Sequence, residues 1–129
     1  MKNKRTKIFS GTPWEPKVGY SRAVMVGDVV YVSGTTGTDP SGKVMAPGDA
    51  YAQTVQAINN IKSALTRLGL GLEHVVQTRI YVTDMNRWEE VAKAHAELLG
   101  EVRPATALVQ VVRLVDPEML VEIEAVAVA

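Results

Sequence analysis

The chain of 129 residues contains no cysteine, which excludes disulfides, thiolate nucleophiles and cysteine-ligated metals. Aromatic residues make up only 5% of it. It also lacks a net charge, because 14 Lys and Arg balance 14 Asp and Glu. Proteins that bind nucleic acid usually carry a basic surplus that neutralises phosphates. Nucleic acid is therefore not expected as a partner, and a small molecule is favoured.

Long apolar runs are missing as well. No run approaches the roughly 20 residues that cross a bilayer, and the first residues lack the apolar stretch of a secretory signal. We therefore expect no membrane partner and a cytoplasmic location. With 47% hydrophobic residues the chain can bury a core, so residues 1–129 are interpreted as one domain. The basic run Lys2, Lys4, Arg5 and Lys7 is interpreted as a solvated N-terminal arm.

Alternating β-branched residues predict several strands. Residues 23–33 predict a hairpin whose turn is formed by Gly27 and Asp28. Residues 34–48 are rich in Gly, Pro, Asp and Thr and predict a long loop, of a kind that is often functional. Three further strands are predicted at 75–82, 105–114 and 120–128.

Two segments have the spacing of amphipathic helices. Residues 49–68 carry apolar side chains at steps of three and four, and Asp49 can cap their N-terminus. A second helix is predicted from Asn86, which resembles the start of a capping box, to Gly100. The order ββ-α-β-α-ββ predicts an α+β fold, a two-layer sandwich of two helices on a mixed sheet. One sheet face would lack helices, and a second copy of the chain is the simplest cover for it.

The last strand presents two carboxylates on one face. Alternation places Glu122 and Glu124 on the side opposite the apolar residues. Paired carboxylates can transfer protons or hold a water molecule. The alternative is a polar row that faces solvent or pairs with Arg79 or Arg113.

The two histidines give little indication of a metal site. His95 lies on the apolar stripe of the second helix, where a hydrogen-bonded core residue is the favoured interpretation. His74 precedes a strand and is distant in sequence. No carboxylate pattern accompanies them, so no metal is expected.

Two further positions are candidates for ligand contacts. Gly34 permits close backbone approach at a strand end, and the bend beside Thr35 could expose amides to an anionic or carbonyl ligand. Arg103 could bind a carboxylate with two hydrogen bonds. It could equally cap the nearby helix end or bridge subunits.

Five segments occur together in a recognisable order. They are Gly19-Tyr20-Ser21-Arg22-Ala23, Val30-Tyr31-Val32-Ser33-Gly34, Gln53-Thr54-x-x-Ala57-x-x-Asn60-Ile61, Tyr81-Val82-x-Asp84, and Pro104-Ala105 with Val121-Glu122-Ile123-Glu124-Ala125. In this order they resemble the Rid/YjgF family, also named endoribonuclease L-PSP. The resemblance extends from about Lys17 to the C-terminus.

The resemblance implies a chorismate-mutase-like fold and a homotrimer whose sheets pack into a central barrel, with a ligand pocket at each subunit interface. It also implies hydrolysis of reactive enamines and imines to keto acids and ammonia without a cofactor. By position, Glu122 matches the glutamate that handles the attacking water, Tyr20 matches the tyrosine of the cleft, and Gly34 matches a backbone contact.

One family residue does not carry over. The deaminase branch has Pro-Ala-Arg, and this chain has Pro104-Ala105-Thr106, so the arginine that binds the substrate carboxylate is replaced by Thr106. A cleft asparagine is replaced by Ala92, and the segment before the fifth strand is shorter. Either Arg103 substitutes as the carboxylate anchor or the ligand carries no carboxylate.

Three functions follow from this pattern. The first is an enamine/imine deaminase-type hydrolase with altered substrate choice. The second is a trimer that binds a small metabolite without turnover, as a regulator. The third is the endoribonuclease or translation inhibitor of the older family name, against which the neutral charge and the lack of a catalytic histidine pair argue.

Overall fold

A six-stranded mixed sheet forms the centre of the molecule in the computed structural model, which describes residues 4–129. Its strands are β1 Arg5–Ile8, β2 Ala23–Val26, β3 Val29–Thr36, β4 Val75–Val82, β5 Ala105–Gln110 and β6 Val121–Val128. Their order across the sheet is β1-β2-β3-β6-β4-β5. β4 and β5 run parallel, and the other neighbours are antiparallel.

Two helices, α1 Ala50–Thr66 and α2 Trp88–Leu99, pack on one face of this sheet. On β6 the side chains of Val121, Ile123 and Ala125 are buried beneath them, while Glu122 and Glu124 lie on the opposite face. The predicted α+β sandwich of two helices on a mixed sheet is therefore confirmed. Among residues 4–129, no helix combines the length and apolarity needed to cross a membrane.

The interpretation of the basic N-terminal run as a solvated arm is wrong for its later part. Residues 5–8 form β1, which pairs with β2 in antiparallel register from Arg5 opposite Val26 to Ile8 opposite Ala23. Ile8 is buried in the core, and this single apolar residue anchors a strand whose other members are exposed. Lys2 lies outside the described residues.

Several predicted strand boundaries also differ from those in the structure, because a strand ends where its partner strand ends. The sequence predicts that β5 reaches residue 114, but β4 ends at Val82, and among residues 4–129 no partner strand continues beside it after Gln110. β3 instead extends through Gly34 to Thr36, into the predicted loop, because β6 continues beside it. The predicted capping box at Asn86 is wrong: Asp84 accepts the Asn86 backbone N–H within a short 3₁₀ turn, and α2 begins afterwards.

A buried glutamine ties the segment before β6 to the first helix. The Gln53 side chain donates to the carbonyls of Ala46 and Glu118 and accepts the backbone N–H of Leu120. Asp49 caps the same helix, as predicted, by accepting the N–H of Ala52. These bonds hold the start of β6, and with it Glu122, against α1.

Candidate functional site

A cavity of about 530 Å³ opens at the end of the sheet where β3 finishes and β6 begins. Its walls come from the segment after β1, the end of β3 and the loop that follows, one side of α1, and the segment that leads into β6. The residues that line it include Ile8, Ser10, Thr12, Trp14, Val18, Tyr20, Arg22, Gly34, Thr35, Asp39, Asn60, Ser63, Ala64, Arg67, Val115, Met119 and Glu122.

An irregularity in β3 creates the contact at the centre of this cavity. The register between β3 and β6 shifts between Val32 and Thr35, as in a β-bulge. A Cβ atom added at Gly34 would lie 2.8 Å from the Cδ atom of Glu122. A side chain at this position would therefore displace the carboxyl group of Glu122.

The guanidinium group of Arg22 organises the wall behind that contact. Its Nη1 atom donates to the Gly34 carbonyl at 2.6 Å and to Thr35 Oγ1 at 3.1 Å. Its Nη2 atom donates to Glu15 Oε2 and Tyr20 Oη, both at 3.3 Å, and its Nε atom donates to Ser10 Oγ at 3.3 Å. An arginine has five N–H donors, and these five hydrogen bonds use all of them within the protein.

The acidic partner of this arginine is buried with it. Glu15 is 3% exposed and Arg22 is 6% exposed. Burial by itself would raise the pKa of Glu15, but hydrogen bonds from Ser10 and Thr12 and the positive charge of Arg22 lower it to about 2. The pair is thus charged on both sides and contributes no net charge to the cavity.

Glu122 differs from Glu15 in having no such support. Among residues 4–129 no group donates a hydrogen bond to its carboxylate in the structure. Burial raises its pKa, the neighbouring Glu124 charge raises it further, and Arg22 partly opposes both. Glu124 is instead hydrogen-bonded by the Tyr81 hydroxyl. A half-buried carboxylate with free acceptor atoms can orient a water molecule and accept its proton.

The structure brings together four of the six residues predicted for the site. Tyr20, Gly34, Thr35 and Glu122 line the cavity. The phenol oxygen of Tyr20 is held by Arg22, whose guanidinium carbon lies 5.5 Å from the centre of the tyrosine ring.

The other two predicted residues, Arg103 and Thr106, do not line this cavity. The backbone N–H of Arg103, in the left-handed region with φ 53°, donates to the Leu99 carbonyl and closes the end of α2. Its side chain is exposed.

Thr106 belongs to a separate polar chain. Its hydroxyl lies 2.8 Å from that of Thr78, which in turn lies 3.0 Å from His95 Nε2. Burial lowers the pKa of His95. His95 is hydrogen-bonded, as expected, but it is half-buried and not part of the buried core.

Sequence reasoning missed the charged residues that build the wall. Glu15 and Arg22 carry no periodic signal, since Glu15 lies in a short π-helical turn beside Pro16 and Arg22 precedes a strand. Their spacing of seven residues indicates nothing until the chain folds back. Within the described part of the chain, no group of three or more His, Cys, Asp and Glu side chains is placed to hold a metal ion.

Comparison with known proteins identifies a family and relatives to which this chain is similar. The family Endoribonuclease L-PSP matches residues 12–129. The 3-aminoacrylate deaminase RutC of Acinetobacter baylyi is 38% identical over 117 residues, which are 91% of each chain. The 2-iminobutanoate/2-iminopropanoate deaminase of Mus musculus is 35% identical over 123 residues, 95% of this chain and 90% of the relative.

A solved structure from the same family has the same fold. The crystal structure of Rv2704 from Mycobacterium tuberculosis, described as a member of the YjgF/YER057c/UK114 family, is 47% identical to this chain. The two superpose with a TM-score of 0.88, over 98% of this chain and 100% of the other.

The lowered pKa of Glu15 predicts a pH-dependent stability. A group whose pKa falls on folding stabilises the protein above its unfolded pKa, near 4.5, and loses that contribution as the pH falls through about 2. The shift corresponds to about 3 kcal/mol of unfolding free energy lost between pH 5 and pH 2. Urea denaturation followed by circular dichroism across this range measures it.

Two variants separate this effect from general acid denaturation. Glu15→Gln leaves Arg22 without its charged partner, so we expect a loss of about 3–5 kcal/mol at pH 7 and a shallower slope below pH 5. Glu73→Gln removes an exposed carboxylate, 73% exposed, and should keep the wild-type slope. If Glu15→Gln keeps the wild-type slope of unfolding free energy against pH below pH 5, the Glu15–Arg22 pair does not determine the loss of stability in acid.

Proposed function

Because the chain belongs to the Endoribonuclease L-PSP family, also called Rid/YjgF, we propose that it hydrolyses a small reactive enamine or imine in the cavity that contains Glu122. The observation that carries this proposal is a half-buried carboxylate without an internal hydrogen bond, beside the Tyr20 ring and the Gly34 backbone. Two relatives are named as deaminases of an aminoacrylate and of iminoalkanoates, which supports this class of substrate.

The reaction that we propose needs a base, a water molecule and a substrate held against both. Water held by Glu122 attacks the carbon of the C=N bond while the carboxylate accepts a proton from it. The carboxyl group returns this proton to the substrate nitrogen, which gives a neutral carbinolamine. The carboxylate then takes the hydroxyl proton and passes it to the nitrogen, so that the C–N bond breaks and a carbonyl compound and ammonia form. The raised pKa of Glu122 suits a group that first accepts and then returns a proton near neutral pH. No cofactor takes part in this scheme.

Substrate choice is proposed to differ from that of arginine-bearing relatives. Thr106 offers a short hydroxyl, already engaged with Thr78, where the deaminase branch has a guanidinium. Arg22 does not replace that group, because all five of its N–H donors are used by the protein. We therefore infer that small 2-imino acids, whose carboxylate adjoins the reacting carbon, are poor substrates.

A homotrimer is proposed as the working form, with the cavity lying near a subunit boundary. The sheet face opposite the helices carries exposed apolar side chains, among them Tyr31, Val109 and Val128. A second copy of the chain would remove this surface from water. In such an assembly the edge strand β5, with Arg103 and Thr106, would be supplied to the cavity by a neighbouring subunit.

The alternative is a trimer that binds a metabolite without turnover. Thr106 favours this alternative. Without the arginine that binds the substrate carboxylate, the protein would lose both affinity for the substrate and control of its orientation. Activity of the Glu122 variants decides between the two, because a binding module would not depend on a water-activating carboxylate.

We expect Glu122→Gln to lower enamine or imine hydrolysis by roughly 10²–10⁴-fold, the usual contribution of a general base. The measurement is kcat/KM against pH for an imine generated in situ. Because the pKa of Glu122 is raised, the acid limb of the wild-type profile should lie above the ordinary carboxyl range and vanish in the variant.

Glu124→Gln is the matched control for that variant. It removes a carboxylate from the same strand and the same face, but one that is bound to Tyr81 rather than to the cavity. It should retain activity within a few fold. Equal losses in both variants would remove the distinction on which the assignment of Glu122 rests.

The proposed trimer predicts a solution mass three times the 14.0 kDa of the chain. Light scattering at micromolar concentration measures it. Val109→Glu places a charge on the exposed apolar face and should shift the mass toward that of the monomer. A monomeric wild-type protein would contradict the assembly and leave β5 remote from every cavity.

Thr106→Arg should raise hydrolysis of imines derived from small 2-amino acids by roughly tenfold, as part of the 2–5 kcal/mol of a charge-assisted carboxylate pair is restored. The assay follows imino-acid decay, coupled to the amino-acid oxidase that forms it. Thr106→Lys supplies the charge without the planar fork and should gain less.

A wild-type rate equal to that of an arginine-bearing relative would show that Thr106 does not disable this chemistry. The role of carboxylate anchor would then pass to Arg103, and Arg103→Ala would be expected to abolish it.

A further inference from the structure

A second arginine, Arg67, lies on the wall of the same cavity. In the described part of the chain, one hydrogen bond of its guanidinium is present, from Nη1 to the Phe9 carbonyl at 2.5 Å. Its other N–H donors are unused among these residues, and no carboxylate lies within ion-pair distance of it. Arg67 thus keeps the two-pronged donor face that binds a carboxylate.

Apart from Glu122, the other charged side chains that line the cavity are already engaged. Arg22 is paired with Glu15 and saturated with acceptors. Asp39 accepts from the Ser41 hydroxyl and backbone N–H and from the Lys43 backbone N–H, bonds that lower its pKa. Among the described residues, Arg67 is therefore the cavity cation that is open to an anionic ligand.

The helix gives the spacing, along its own axis, between Arg67 and the level of the Glu122 backbone. Glu122 is opposite Thr36 in the sheet, and Asn60 of α1 donates to the Thr36 carbonyl at 2.9 Å. Asn60 thus marks the level of the Glu122 backbone along the helix, whereas the Glu122 side chain lies on the other face of the sheet. Arg67 follows seven residues later, which is about 10 Å along the axis. Asn60, Ser63, Ala64 and Arg67 form a continuous stripe that faces the cavity.

Apolar side chains line the space as well. They are Ile8, Trp14, Val18, Val115 and Met119. A volume of about 530 Å³ falls within the range of 300–1,000 Å³ that holds ligands much larger than a three- or four-carbon acid.

We propose that Arg67 is the anion-binding residue of this cavity, and that the ligand carries a carboxylate separated from its reacting carbon by an apolar spacer of several carbons. Within one subunit, the planar donor pair of a single guanidinium matches the two oxygens of a carboxylate. Glu122 repels a carboxylate at the opposite end, which sets the orientation. The position of the reacting carbon rests on the proposed function, whereas the carboxylate site does not.

Straight-chain carboxylates from acetate to octanoate test the site without any chemical reaction. Binding is measured by NMR through the indole N–H signal of Trp14, which lines the cavity, with that of Trp88 on α2 as internal reference. We expect affinity to rise with chain length, and hexanoate to bind more tightly than hexanamide.

Arg67→Gln should weaken hexanoate binding by about tenfold or more and leave hexanamide binding unchanged. Arg67→Lys, which keeps the charge and loses the fork, should show a smaller loss and serves if the first variant folds poorly. Arg113→Gln makes the same charge change at an exposed position outside the cavity and should bind as the wild type does.

Equal weakening of hexanoate and hexanamide in Arg67→Gln, or no weakening of either, would overturn the proposal. So would a shift of the Trp88 signal in place of Trp14. Glu122→Gln should still bind hexanoate. A protein that binds hexanoate through Arg67 but hydrolyses no imine would contradict the proposed function and leave the carboxylate site standing.

Discussion

The guanidinium group of Arg22 joins three parts of the chain at one point. It binds the segment after β1 through Ser10, the π-helical turn through Glu15, the following residue Tyr20, and the irregular end of β3 through Gly34. Removing one member of a buried charged pair costs about 3–5 kcal/mol, because the other charge then lacks a partner. The N-terminal wall of the cavity therefore holds its shape only while this pair is intact.

This pair also determines what the cavity can do electrostatically. Glu15 neutralises Arg22, and the protein itself uses all five N–H donors of this arginine. Arg22 therefore stabilises the cavity wall and does not bind a ligand. Glu122 is then left as a carboxylate with a raised pKa and free acceptor atoms, and Arg67 as the cation with free donors. The groups that we propose to act on a ligand are those that make few or no hydrogen bonds within the fold.

The strands and helices were predictable because their signals are local. Alternation along residues 121–128 places the glutamates on one face and the apolar residues on the other, whatever the rest of the chain does. The errors occur where pairing with another strand determines the structure. β1 forms because β2 offers an edge for pairing, and β5 ends because its partner β4 ends. Tyr20 was found by resemblance, Gly34 and Glu122 by local pattern and resemblance together, and Thr35 by local pattern alone. Arg103 and Thr106 lie outside the cavity of the single chain.

By itself the sequence determined the fold class, the two helices on a mixed sheet, and the face of β6 on which Glu122 lies, since each depends on residue spacing within one segment. Only the tertiary structure decided which charges are free. Glu15 and Glu122 are both glutamates, and Arg22 and Arg67 are both arginines. Whether each one binds the protein or remains available to a ligand depends on partners far away in the chain, because a hydrogen-bond donor or acceptor is used up by whatever group the fold brings within about 3 Å.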